Sequence, residues 1–154
     1  MTDETGEIDV DVDIATLREK FLNQEFDENE FFIDGNKTIE YARLCGETAS
    51  RFLDRNDPDF QAPPNYVASL SGRRTTPSDF PRMGVGMDAG KGVECIRPIR
   101  PDQTLTGRTH LHDIYTKTGR SGQMVFLVAR IEFYDAEGNH LVNSDSRSVI
   151  RENR

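Results

Sequence analysis

The chain has 154 residues, enough for one domain with its own core, and carries a formal net charge of −8 with 30% charged residues. That balance argues against nucleic acid as a partner, because phosphate binding needs a positive footprint, and no apolar run approaches the roughly 20 residues that span a bilayer. Met1 to Asp13 hold six acids and no basic stretch followed by an apolar one, so no secretory signal is expected and a cytoplasmic location is.

In chain order, residues 1–13 read as an acidic flexible tail and residues 14–154 as a single domain. Asp13 is positioned to cap a short helix whose Ile14, Leu17, Phe21 and Leu22 recur at helical spacing. Glu30 to Asp34 is a strand candidate closed by Asp34-Gly35-Asn36. Asn36 then caps a helix from Lys37 to about Cys45. Pro63-Pro64 introduces a helix over Asn65 to Leu70, since proline is tolerated in a first helical turn. Ser71 to Gly86 is rich in Gly, Pro, Ser, Thr and Arg and reads as one long loop.

Four strand-like segments follow: Val93 to Arg100, Thr104 to Lys117, Gln123 to Tyr134 and Leu141 to Ile150. Turn residues separate them at Pro101-Asp102, Gly119 to Gly122 and Ala136 to Asn139, which predicts three consecutive hairpins. In the third segment Val125, Leu127, Ala129, Ile131 and Phe133 form an apolar set that must face a core. A sheet with one apolar face needs a cover, and the Asn65–Leu70 helix is the natural one. The expected fold is therefore α+β, an antiparallel sheet wrapped around a central helix.

Four pieces of the chain carry a family resemblance. Glu94 to Leu105, with Arg97-Pro98-Ile99-Arg100-Pro101-Asp102, resembles an R-P-L-R-P-G-D-T-L strand and turn. Asp113 to Lys117 followed by Gly119 to Gly122 resembles the next strand and hairpin. Ala62-Pro63-Pro64-Asn65-Tyr66 resembles an A-P-P-T-F opening of the central helix, and Phe31 to Gly46 resembles the first strand and overhang helix. Over roughly residues 25–151 the order and spacing of these pieces resemble the MaoC-like and fatty-acid-synthase-like dehydratases, the (R)-specific enoyl-thioester hydratases. The resemblance implies a hot-dog fold, acyl-CoA or acyl-ACP thioester substrates, a role in lipid metabolism, and hot dogs paired edge to edge.

Catalytic members of that family carry a loop resembling G-D-x-N-P-x-H. Its Asp and His act on a water that adds across the double bond of an enoyl thioester, which requires both within hydrogen-bond reach of the reacting atoms. The corresponding stretch here is Gly46-Glu47-Thr48-Ala49-Ser50-Arg51-Phe52. Glu47 stands at the Asp position, and Phe52 at the His position can neither give nor take a proton. The resemblance thus implies a non-catalytic, acyl-channel-shaping subunit that pairs with a MaoC-like partner bearing the Asp and His. Two alternatives stand beside it: a homodimeric hydratase or thioesterase using Glu47, and a thioester-binding module without turnover.

Five residues are candidates for contacting the thioester. Asn65 and Tyr66 stand at the start of the central helix, beside the family's acyl channel. Arg73, Arg74 and Lys91 flank the long loop and are candidates for carrier phosphates, ahead of Arg97, Arg100, Arg108 and Arg120, which read as strand decoration. His110 and His112 read as a solvated or subunit-facing pair, too few ligands for a metal site, and His140 as exposed. Cys45 and Cys95 read as reduced, part-buried thiols. No cofactor is expected.

Overall fold

A computed structural model describes residues 10–120 and 122–151. Five antiparallel strands form one sheet: β1 (Glu25–Ile33), β2 (Gly86–Cys95), β3 (Gln103–Gly119), β4 (Gly122–Tyr134) and β5 (His140–Arg151). Their order is β1-β3-β4-β5-β2, so β1 and β2 are the edges. The helices are α1 (Val10–Phe21), α2 (Gly35–Leu44) and α3 (Ser50–Leu53), with a 3-10 turn at Pro64–Ser69. This is the hot-dog arrangement expected from the sequence.

The alternation in β4 sorts as predicted. Val125, Leu127, Ala129 and Phe133 are buried on the inner face, while Arg130 and Glu132 stand on the outer one. The inner face holds two apolar clusters. At one end Leu17 and Phe21 of α1 pack on Leu111, Ile114, Val125, Leu127 and Ile150. At the other, Tyr66 and Val67 of the 3-10 turn pack on Ile33, Ile99, Leu105, Phe133 and Val142. Each of these buried side chains contributes about 1.5–3 kcal/mol over leaving it in water. The cover is therefore shared between α1 and a six-residue 3-10 turn rather than supplied by one central helix.

Several boundaries differ from expectation. Of the expected tail, residues 1–9 lie outside the described residues, and α1 begins at Val10, which puts Asp13 within the helix rather than at its cap. The cap of α2 is Asp34, not Asn36: its Oδ1 accepts from the backbone N–H of Asn36 (2.8 Å) and Lys37 (3.3 Å). β1 starts at Glu25, five residues early, because an edge strand tolerates the charged run that disguised it. The first of the three predicted hairpins does not form. β2 begins at Gly86, inside the expected loop, and pairs with β5 at the far edge, as in Val93↔Ser144. Pro98 and Pro101 cannot donate to a ladder, so the chain after Cys95 leaves the sheet and crosses to β3. The two cysteines are exposed rather than part-buried, Cys45 at the C-cap of α2 and Cys95 at the end of the edge strand.

Candidate functional site

The segment that resembles the catalytic loop is built for helix termination. Gly46, at φ 78°, follows the C-cap Cys45 in the left-handed region. Its N–H donates to Arg43 O (3.0 Å) and the N–H of Glu47 donates to Ala42 O (2.9 Å). These two bonds make a Schellman motif, which satisfies carbonyls that α2 leaves without partners. Gly46→Ala is expected to lower stability by about 1–2 kcal/mol through left-handed backbone strain alone, since no atom lies within 4 Å of the position a Cβ would take. Chemical denaturation checks this.

Glu47 is half-buried, and its carboxylate makes no hydrogen bond or ion pair with the described residues. Ala49 opens α3 without a side-chain cap, and Ser50 Oγ donates to Asp57. Phe52, which the resemblance sets against the family's histidine, is 7% exposed, with the Arg51 guanidinium 4.8 Å from its ring centroid. Position 52 is thus occupied by a packed ring rather than by a group open to a reactant.

Across the inner face, between the 71–85 loop and strands β2, β4 and β5, lies a cleft of ≈ 200 Å³. Its lining includes Leu127 and Ala129 of β4, Ser146 and Ser148 of β5, Thr75 of the loop, and Asp88 and Lys91 of the edge strand. Lys91 Nζ donates to Ala68 O at 2.8 Å, tying the edge strand to the 3-10 turn.

Of the five predicted binding residues, Lys91 alone lines this cleft. Asn65 is exposed, and its carbonyl accepts from the Tyr41 hydroxyl (3.2 Å). Tyr66 belongs to the core and meets Tyr41 edge-on at 5.5 Å; burial, and then the charge of Asp34, push its hydroxyl pKa up. Arg73 Nε donates to Asn29 Oδ1 at 2.8 Å. Arg74 borders a separate cleft of ≈ 330 Å³ with Lys20, Phe21, Gln24 and Phe26. Thr75, Ser146 and Ser148 were missed, although the alternation Ser144, Ser146, Ser148 in β5 marks a row of small side chains on one face.

The 71–85 loop is pinned by Asp27. Its Oδ2 accepts from Asn29 Nδ2 (2.7 Å) and from the Arg74 N–H (3.1 Å). Burial alone would raise this carboxyl's pKa, but those bonds and the Arg73 charge outweigh it, so the pKa is lowered. Gly72 permits the close crossing: a Cβ there would lie 3.1 Å from both Asn29 Nδ2 and Asp27 Oδ2. Thr109 Oγ1, beneath Gly72, is buried and has no hydrogen-bond partner among the described residues.

On the outer face, Arg108 pairs with Glu28 (3.4 Å) and Arg130 with Asp145 through two bonds (2.7 and 2.9 Å); off the sheet, Arg100 pairs with Asp59 (3.1 Å). Arg97 donates to Asn139 (3.4 Å) and Arg120 is exposed. His140 is half-buried rather than exposed: it stacks on Tyr134 and lies 2.6 Å from Asn143 Oδ1. His112 is exposed in a bulge after Leu111, 3.3 Å from His110. Among the described residues no group of three His, Cys, Asp or Glu side chains is arranged to hold a metal ion, and no helix is long and apolar enough to cross a membrane.

The His110 side chain is only 14% exposed, with Glu132 Oε1 3.9 Å away. Burial lowers its pKa below 6.5; Glu132 and Asp145 oppose that shift, while His112 and Arg130 add to it. The folded state then binds fewer protons than the unfolded state once pH drops below 6.5. Its contribution is present above the unfolded pKa and lost as pH falls through and below it. Melting temperature is expected to fall with acidification across that window, and less steeply in His110→Gln.

The sheet order, the split inner cover and the cleft beside a free edge define a hot-dog domain. The chain belongs to the FAS1-like dehydratase domain region family, whose model matches residues 20–144, and it is a MaoC-like dehydratase domain. No curated protein sequence matches it. It is similar in fold to the HadBC (3R-hydroxyacyl-ACP dehydratase) complex of Mycobacterium tuberculosis, with 11% identity, 84% of this chain and 97% of that one covered, and a TM-score of 0.62. The ChsH1-ChsH2 complex of the same organism gives 14%, 95%, 93% and 0.63. The MaoC-like dehydratase of Phytophthora capsici is 25% identical over 86% of this chain, with a TM-score of 0.63, and the match spans 48% of that protein.

Proposed function

We propose that this chain is the non-catalytic, acyl-channel-shaping subunit of a heteromeric (R)-specific enoyl-thioester hydratase, which in reverse is a 3-hydroxyacyl-thioester dehydratase. The observation that carries the proposal is Phe52, a buried ring where catalytic relatives place the histidine. Hydration needs one group to take a proton from water as its oxygen bonds the β-carbon, and a proton delivered to the α-carbon. A phenyl ring does neither, so the Asp and His come from a MaoC-like partner.

The partner's place is the free edge of β2. That strand presents a row of backbone groups with no neighbouring strand among the described residues, a template for pairing; Val85 (70% exposed) and Ile96 (48%) flank it and Met87 (46%) lies within it. The cleft floored by Leu127 and Ala129 lies against the same strand and provides the acyl channel, with Lys91 at its rim. Two similar folds, HadBC and ChsH1-ChsH2, are complexes, which supports a heteromer.

Glu47→Gln, made in the reconstituted pair and assayed on trans-2-enoyl thioesters, tests the assignment. Unchanged turnover is expected. Loss of turnover would move the catalytic base into this chain and favour the Glu47 enzyme.

A further inference from the structure

The outer face of the sheet carries two kinds of surface. Toward the β4–β5 turn its charges are paired, Arg108 with Glu28 and Arg130 with Asp145. Toward the β3–β4 turn, Tyr115, Phe126 and Val149 are direct cross-strand neighbours over β3, β4 and β5. The two rings stack with centroids 4.9 Å apart, and Lys117 Nζ sits 5.7 and 5.4 Å from them. Lys117, Arg147 and Arg151 are exposed around this row and make no ion pair with the described residues. Unpaired positive charge is thus gathered at one place in a chain of net charge −8. The row stops at β5, so it leaves the β2 edge to the partner subunit.

Opposite charge lies at the start of the chain. Residues 1–9 hold the acids Asp3, Glu4, Glu7 and Asp9 and no lysine or arginine. They lead into α1, and α1 is anchored beside the row. β1 pairs with β3 only as far as His110. Past that point Arg18 of α1 reaches β3 instead, donating to Asp113 Oδ1 (2.8 Å) and to the carbonyl of Ile114, the residue before Tyr115.

We infer that residues 1–9 dock on the Tyr115–Phe126–Val149 row as a clip that holds α1 to the sheet. The inference does not rest on the proposed function. Reach permits it. From Arg18 back to Val10 a helix runs about 12 Å, and three strands spaced about 4.8 Å apart make a row roughly 10 Å long. Nine extended residues span about 30 Å, enough to return along the helix and cross the row. Ile8 stands between Glu7 and Asp9, so an extended segment sets an apolar side chain on the rings and carboxylates within reach of the long cations on either side. The tether keeps the segment near the row without any partner in solution. A second copy docked face to face would instead set the same three cations against each other.

The test compares the full chain with one lacking residues 2–9, by NMR of the Tyr115 and Phe126 rings and by thermal melting. Removing the segment is expected to shift both ring resonances and to lower the melting temperature by about 2–4 °C, a modest loss because exposed ion pairs are individually weak. At about 1 M salt, where the screening length is about 3 Å, the two chains are expected to melt alike. In Lys117→Glu/Arg147→Glu the deletion is expected to be silent. Adding Asp3→Lys, Glu4→Lys, Glu7→Lys and Asp9→Lys to that variant is expected to restore its sensitivity to the deletion. Ring resonances unmoved by the deletion, a deletion effect that persists in the double variant, or a charge swap that restores nothing would overturn the inference. So would ring shifts that grow with protein concentration alongside a larger species, which would make the segment of a second copy the occupant.

Discussion

Phe133→Ala is expected to destabilise the domain by about 3–5 kcal/mol, the range for removing a large aromatic from a packed core. Phe133 is fully buried on the inner face of the central strand β4. It meets Phe31 edge-on at 5.4 Å, and the two rings bring β1 and β4 together across β3. Gly107 is the intervening residue of β3, where an added Cβ would lie 2.7 Å from the Phe31 ring and 2.9 Å from Ile131. The layer is thus closed on every side, and deleting the ring leaves a cavity that its neighbours cannot fill. Leu44→Ala is the contrast: Leu44 is 82% exposed and its loss is expected to change stability by less than about 0.5 kcal/mol. Denaturant titration of both variants reads the difference.

Phe52→His is expected to lose about 2–4 kcal/mol of stability and to gain no turnover. The loss has two parts. The apolar ring, 7% exposed, gives up its packing, and an imidazole must bury polar nitrogens in its place. Turnover also needs the second group of the pair, the support that orients both, and a substrate pose between them. Here Ala49 and Ser50 stand at the Asn and Pro positions of the resembled loop, and Ser50 is engaged with Asp57. One restored histidine therefore does not rebuild the site. Thermal melting and an enoyl-thioester assay of the purified variant check the two halves separately.

The fold was most legible where alternation follows burial. The apolar set of β4 could be assigned to a face from the sequence because nearly every second residue enters one of the two clusters. Legibility failed at both sheet edges. In β1 the run Glu25 to Glu30 reads as solvated, yet an edge strand has one free side and accepts such charge. In β2 the glycines at 86, 90 and 92 erase the periodic signal, and the strand forms because β5 offers its ladder. The pairing of β2 with β5 is a long-range choice that turn chemistry at Pro101-Asp102 does not reveal.

The candidate site was legible as a departure and obscure as a cavity. Gly46 to Phe52 could be aligned residue by residue with the resembled loop, and the structure adds that Gly46 serves a helix cap. Arg73, Arg74 and Lys91 are near in sequence or flank one loop, but crossing over Asp27 and Asn29 at Gly72 sends Arg73 and Arg74 to β1 and away from the cleft. Of the cleft's lining, Lys91 alone was named from the sequence, while Thr75, Ser146 and Ser148 are small side chains whose residue type announces no site.

The most direct test of the account is hydration of trans-2-enoyl-CoA and trans-2-enoyl-ACP by the purified chain alone and after addition of a MaoC-like protein with an intact Asp/His loop. Loss of enoyl absorbance is followed and both preparations are sized in solution. The account predicts no turnover by the chain alone, and turnover together with a larger hetero-oligomer once the partner is present. Robust turnover by the chain alone would contradict it.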